Sequence, residues 1–206
     1  MRVRGVTKGR LEAFSDGVFA IAATLLVLEI KVPQTGGGSL WHALGDQWPS
    51  YAAYAVSFFT IGIIWVNHHA QYDRIREPDR WLLFLNLLLL FWVAFIPFPT
   101  ALVAEQLRSG SASSQHTAAA VYALVLLLMG FSFFAAWAYA SRARLLPDDM
   151  SAADVRRLLF RNVLGQAGYV LALGVAFVSA GVSLAICGLV ALYYVPPEGI
   201  ARAFGR

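Results

Sequence analysis

Long apolar runs separated by short clusters of charge dominate this 206-residue chain. A helix crosses a bilayer core with about 20 apolar residues, and six stretches read as such spans. They run over Leu11–Ile30, Tyr51–Tyr72, Trp81–Val103, Thr117–Ala140, Val163–Val178 and Val182–Val195. The first stops at Lys31, Pro33 and the glycines Gly36–Gly38. Pro97 and Pro99 predict a kink or an early end in the third, because proline removes a backbone donor and clashes with the preceding turn. The last two are short and joined only by Ser179-Ala180-Gly181. The expected fold is therefore all-α, a polytopic membrane protein organised as one transmembrane domain over residues 1–206.

Charge placement orients these spans. Of 16 lysines and arginines, all but Lys31 and Arg108 fall on one side if the spans alternate. Basic residues concentrate on the cytoplasmic side of a membrane, so both termini are expected there. A short amphipathic helix is expected within Pro147–Arg161, with Ser151 as N-cap and Asp154 completing a capping box. The run from Leu11 follows a basic N-terminus without a small-residue cleavage site, so it reads as a retained span, not a signal peptide.

Composition agrees with this pattern. Apolar residues make up 59% of the chain and charged residues 14%, with a mean hydropathy of +0.62. A soluble domain carries about 25% charged residues. The net charge of +4 would suit nucleic acid only if it formed a patch. Here the cations alternate with apolar spans, so no nucleic-acid partner is expected. Cys187, the single cysteine, reads as a small buried hydrophobe.

Chemistry concentrates in the first span, which opens Arg10-Leu11-Glu12-Ala13-Phe14-Ser15-Asp16-Gly17. An ionisable group inside a span faces a partner or a water-filled cavity, and Asp16 lies more than a turn from the start. Further along, Ile21, Leu25 and Leu28 recur at i, i+4 and i+7 beside Thr24. Periodicity alone reads this stripe as helix packing, with a pore wall as the alternative. The second span ends Trp65-Val66-Asn67-His68-His69. Adjacent histidines diverge by about 100° on a helix and are poorly placed to share a metal, so no metal site is expected. With Asn86 of the third span at a similar depth, they read instead as a polar clasp around Asp16 and Arg10. There is no TVGYG-type carbonyl filter, no arginine-rich voltage sensor and no nucleophile–base motif, so an enzyme is unsupported.

The run Arg10-x-x-x-Phe14-Ser15-Asp16, continuing Gly17-Val18-Phe19-Ala20-Ile21-Ala22-Ala23-Thr24-Leu25-Leu26, resembles the start of the first helix in the transmembrane protein 175 family of endolysosomal potassium channels and their bacterial relatives. Trp65, His68, His69 and Asn86 fit the same family, and the resemblance extends over roughly residues 10–100. It implies a homotetrameric, potassium-permeable leak channel in a bacterial plasma membrane, its pore lined by the first helix of each subunit. By position, the hydrophobic constriction falls on Ile21, Leu25 and Leu28, with Thr24 beside it. Arg10, Phe14, Ser15, Asp16, Trp65, His68, His69 and Asn86 then form the network that braces the helices. Potassium is the permeant species. No cofactor and no small-molecule substrate are implied, and the partners are further copies of the chain and membrane lipid. Two other readings stay open: a proton-coupled secondary transporter using Asp16 and the histidines as a relay, and a non-transporting membrane scaffold.

Overall fold

The structure, a computed structural model, describes residues 8–33, 37–147 and 150–195. Arg2, Arg4, Arg202 and Arg206, which enter the orientation argument, lie outside the described residues, as do Gly36 and, within the segment Pro147–Arg161, Asp148 and Asp149. The described residues form α1 (Lys8–Leu25), α2 (Leu40–Gly45), α3 (Trp48–Asp73), α4 (Arg80–Phe95), α5 (Pro97–Ser109), α6 (Ala112–Arg142), α7 (Ala152–Ala176) and α8 (Ala180–Tyr193). A 3₁₀ turn, Leu26–Glu29, continues α1.

Among the described residues, five segments are long and apolar enough to cross a membrane: Lys8–Glu29, Leu40–Asp73, Arg80–Ser109, Ala112–Arg142 and Ala152–Ala176. The sixth expected span corresponds to α8, whose 14 residues rise about 21 Å. That is less than the ~30 Å hydrocarbon core.

Two expectations change. The described residues of the segment Pro147–Arg161 hold no separate helix. Ser151 does cap, its Oγ accepting from Asp154 N at 3.1 Å, but the helix that starts at Ala152 runs unbroken to Ala176. Between Ala152 and Asn162 there is no glycine or proline to interrupt the i→i−4 ladder. Before α3, the loop contains the short α2, which no apolar periodicity announces because none of its residues is buried.

The prolines act as expected. α4 ends at Phe95, Ile96 N donates to Val93 O at 3.2 Å, and Pro97 opens α5. Hydrocarbon offers no water to a broken helix, so the freed groups need internal partners. Thr100 Oγ1 donates to Ile96 O at 2.9 Å. The same hydroxyl lies 2.8 Å from Ser57 Oγ, which lies 2.9 Å from the Tyr122 hydroxyl. This buried cluster joins α3, α5 and α6 at the break.

α6 is the central helix, packed on α4, α5, α7 and α8, while α1 packs on α3, α4 and α5 from one flank. Small residues let α7 and α8 approach closely, the usual device for helix association in lipid. The Tyr194 phenol lies directly against Gly165 and the Val190 side chain against Gly168.

α1 is fixed by a buried polar chain. Ser15 Oγ donates to Leu11 O at 2.9 Å and accepts from Asn86 Nδ2 of α4 at 3.0 Å. Asn86 Oδ1 lies 2.8 Å from His68 Nε2 of α3. All three residues are buried. The His68 ring is sandwiched by Phe19, with centroids 5.4 Å apart, and Tyr72, at 4.4 Å.

Replacing Asn86 with leucine leaves Ser15 and His68 without their shared partner. This should lower unfolding stability in detergent by about 1–2 kcal/mol; an unchanged thermal midpoint would show that the chain contributes no net stability. Gly165→Ala forces the Tyr194 ring to move and should cost about 1–3 kcal/mol in the same measurement, whereas Ala at Gly174, where a Cβ meets nothing within 4 Å, should be tolerated.

Candidate functional site: the bare face of the first helix

The sequence of α1 divides it lengthwise. Leu11, Ser15, Phe19 and Ala22, followed by Leu26 of the 3₁₀ turn, recur at steps of three and four and are all buried against the bundle. The opposite face holds Gly17, Ile21, Thr24 and Leu28, all exposed in the single chain. Ile21 is 60% exposed and Leu28 69%; Leu25, nearer the flank, is 43% exposed. A bare stripe of branched aliphatics on a helix held firmly by its other face demands a partner surface or a pore.

The 3₁₀ turn shapes the end of this stripe. With three residues per turn, side chains at i and i+3 eclipse, so tightening over Leu26–Glu29 draws Leu28 into line with Leu25. The Thr24 hydroxyl is 3.0 Å from the carbonyls of both Ala20 and Ile21 and donates to them. Its proton is committed to the backbone, leaving its oxygen lone pairs available to a cation. Beyond the 3₁₀ turn, Glu29 and Lys31 line a cleft with Gln47, Ser50, Glu105 and Arg108.

The residues expected to brace the helices do not form a single cluster. Ser15, Asn86 and His68 form the buried chain described above. Asp16 points to the α3 flank, where its Oδ1 accepts from Trp65 Nε1 at 2.8 Å. Its donor is therefore the indole, not a histidine. His69 diverges from His68 as helical geometry requires: it is exposed, lies 3.5 Å from Asp73 Oδ2 and stacks on Trp65 with centroids 6.5 Å apart. Phe14 is 57% exposed, and Arg10 stands on the exposed side of the first turn. No three His, Cys, Asp or Glu residues among the described ones are grouped to hold a metal.

Two participants went unnoticed in the sequence. Asp73 joins His69 and also lies 4.0 Å from Lys8 Nζ, which lies 3.8 Å from Glu12. The i, i+4 spacing of His69 and Asp73 was the available signal. Tyr72, stacked on His68, carried none, since an aromatic at the end of a span also reads as an interfacial anchor.

Comparison with known proteins agrees with this architecture. The profile of the family described as endosomal/lysosomal potassium channel TMEM175 matches residues 10–97. A Streptomyces collinus protein named a potassium channel is 57% identical over 190 residues, covering 90% of each chain. The crystal structure of a lysosomal potassium-selective channel TMEM175 homolog from Chamaesiphon minutus superposes with a TM-score of 0.80 at 40% identity, covering 91% of this chain and 95% of that one. The Gallus gallus endosomal/lysosomal proton channel TMEM175 is 36% identical over 147 residues, 66% of this chain and 28% of that longer one. With relatives this similar along nearly its whole length, the chain belongs to the TMEM175 family.

Proposed function

We propose that this chain is one subunit of a potassium-permeable leak channel of the bacterial plasma membrane, a homotetramer whose pore is lined by the bare face of α1. The observation that carries this reading is the division of α1. Its buried face is used within the subunit, while Ile21, Leu28 and Thr24 are exposed in the single chain. Around a fourfold axis those residues face their own copies. The names of the Streptomyces and Chamaesiphon relatives supply the ion.

In this reading Ile21, Leu25 and Leu28 form successive apolar layers. Such layers give an ion no replacement for its hydration shell, so they gate by radius and wetting. Thr24, between the first two layers, presents oxygen lone pairs to a partly dehydrated cation. The Ser15–Asn86–His68 chain holds α1 at one rotational setting, and Asp16–Trp65 steadies it from the side. Arg10, Phe14 and His69 occupy the inner end, where bracing passes between subunits. Both termini are cytoplasmic. Lys31 and Arg108 lie with Glu29 at the opposite mouth. No cofactor is needed, since the permeant ion is the only ligand.

The test is potassium flux from liposomes containing the purified protein. Cys187 is 1% exposed, so a thiol reagent should leave native flux intact while blocking an Ile21→Cys variant. Ile21→Asn should raise flux at least about tenfold, a barrier change of about 1.4 kcal/mol. Native protein that carries no flux, or flux indifferent to a confirmed modification at position 21, would return the stripe to helix packing and the protein to a scaffold. Saturable, proton-driven flux would favour a transporter.

A further inference from the structure

Two loops are tied together at the arginine-rich end of the bundle. The backbone N–H of Arg76, between α3 and α4, donates to the carbonyl of Leu145, between α6 and α7, at 3.0 Å. Near the end of α6, the Tyr139 hydroxyl donates to Asp79 Oδ2. Asp79 Oδ1 accepts from Leu82 N at 2.9 Å and so caps α4. These bonds gather Arg74, Arg76, Arg80, Arg142 and Arg144 into one corner.

The segment between α3 and α4 also holds two carboxylates, Glu77 and Asp79, and the segment between α6 and α7 holds Asp148 and Asp149, which lie outside the described residues. Both oxygens of Asp79 are already engaged, one by the first turn of α4 and one by Tyr139. The five arginines outnumber these four carboxylates, and Arg80, Arg142 and Arg144 are exposed. From this corner, α4 runs into the membrane with an exposed apolar ridge of Trp81, Phe84, Leu87, Leu88 and Phe91. The Arg80 guanidinium lies 5.7 Å from the Phe84 ring centroid, at the junction of charge and ridge.

We propose that this corner is a docking surface for an anionic phospholipid, with its phosphate at Arg80, Arg142 and Arg144 and an acyl chain along the α4 ridge. The assignment rests on charge complementarity continuous with an apolar surface. Guanidinium groups recognise phosphate through charge-assisted hydrogen bonds, and clustered basic residues at a membrane surface favour anionic headgroups. A free phosphate would use the cations and leave the ridge uncovered. Docking does not depend on ion conduction; the orientation above places it in the cytoplasmic leaflet.

The test is native mass spectrometry of the purified protein titrated with phosphatidylglycerol or phosphatidylcholine. The wild type should retain phosphatidylglycerol preferentially. Arg80→Gln/Arg142→Gln should lower that retention by about tenfold or more. Arg156→Gln/Arg157→Gln, which removes the same charge from the start of α7, should change it far less. Equal losses in both variants would mean diffuse attraction and overturn the proposal, as would full retention by the corner variant. Should the corner variant fail to fold, photoactivatable phosphatidylglycerol on the wild type decides the matter. Crosslinks within residues 74–91 and 139–145 support the site, and crosslinks confined elsewhere refute it.

Discussion

The buried chain from Leu11 O through Ser15 and Asn86 to His68 governs the rest of the molecule, because it sets the rotation of α1. Apolar contacts alone tolerate small rotations of a helix, since lipid tails are as apolar as the leucines they replace. A hydrogen bond does not: a few tens of degrees would separate Ser15 from Asn86 and leave the buried Asn86 Nδ2 without its acceptor, at a cost of about 1–3 kcal/mol. Phe19 and Tyr72 close over the His68 ring and keep water from substituting. Every property assigned to the bare face of α1 follows from that rotational lock.

A second polar cluster supports the other end of the same helix. Breaking the third span at Ile96 frees backbone groups at membrane depth, and Thr100, Ser57 and Tyr122 surround the break with hydroxyls. The resulting α5 packs on the 3₁₀ turn that ends α1. The two proline residues thus do more than bend a helix. They direct α5 against Leu26–Glu29, the turn that carries the end of the exposed stripe on α1.

The two flanks of the subunit are built on different principles. Around α1, buried hydrogen bonds specify position and a large apolar face stays uncovered. Around α7 and α8, glycines permit close approach, and polar contacts tie the shorter helix at its end. Asn67 Nδ2 and Arg161 Nη2 both donate to the Tyr194 carbonyl, at 2.9 and 3.3 Å. A helix of 14 residues cannot cross the hydrocarbon alone, and these donors satisfy a carbonyl at its exposed end that water would otherwise serve.

Much of this was legible in the chain itself. Apolar run length and scarcity of charge determine a helical membrane protein, because lipid accepts few other ways to satisfy a backbone. Pro97 and Pro99 determine the break after α4, and the Phe14-Ser15-Asp16 run marks α1 as the unusual helix. Ser151 was readable as a cap from local spacing. The continuity of α7 was not, because polar residues on its first turns look like a connector until tertiary packing carries the helix through them. Nor could periodicity decide whether Ile21, Leu25 and Leu28 are covered within the chain: a buried stripe and a bare one have the same spacing. Only the tertiary structure resolved that, by pairing Ser15 with Asn86 and Asp16 with Trp65, since side chains far apart in sequence can choose partners only after the helices are side by side.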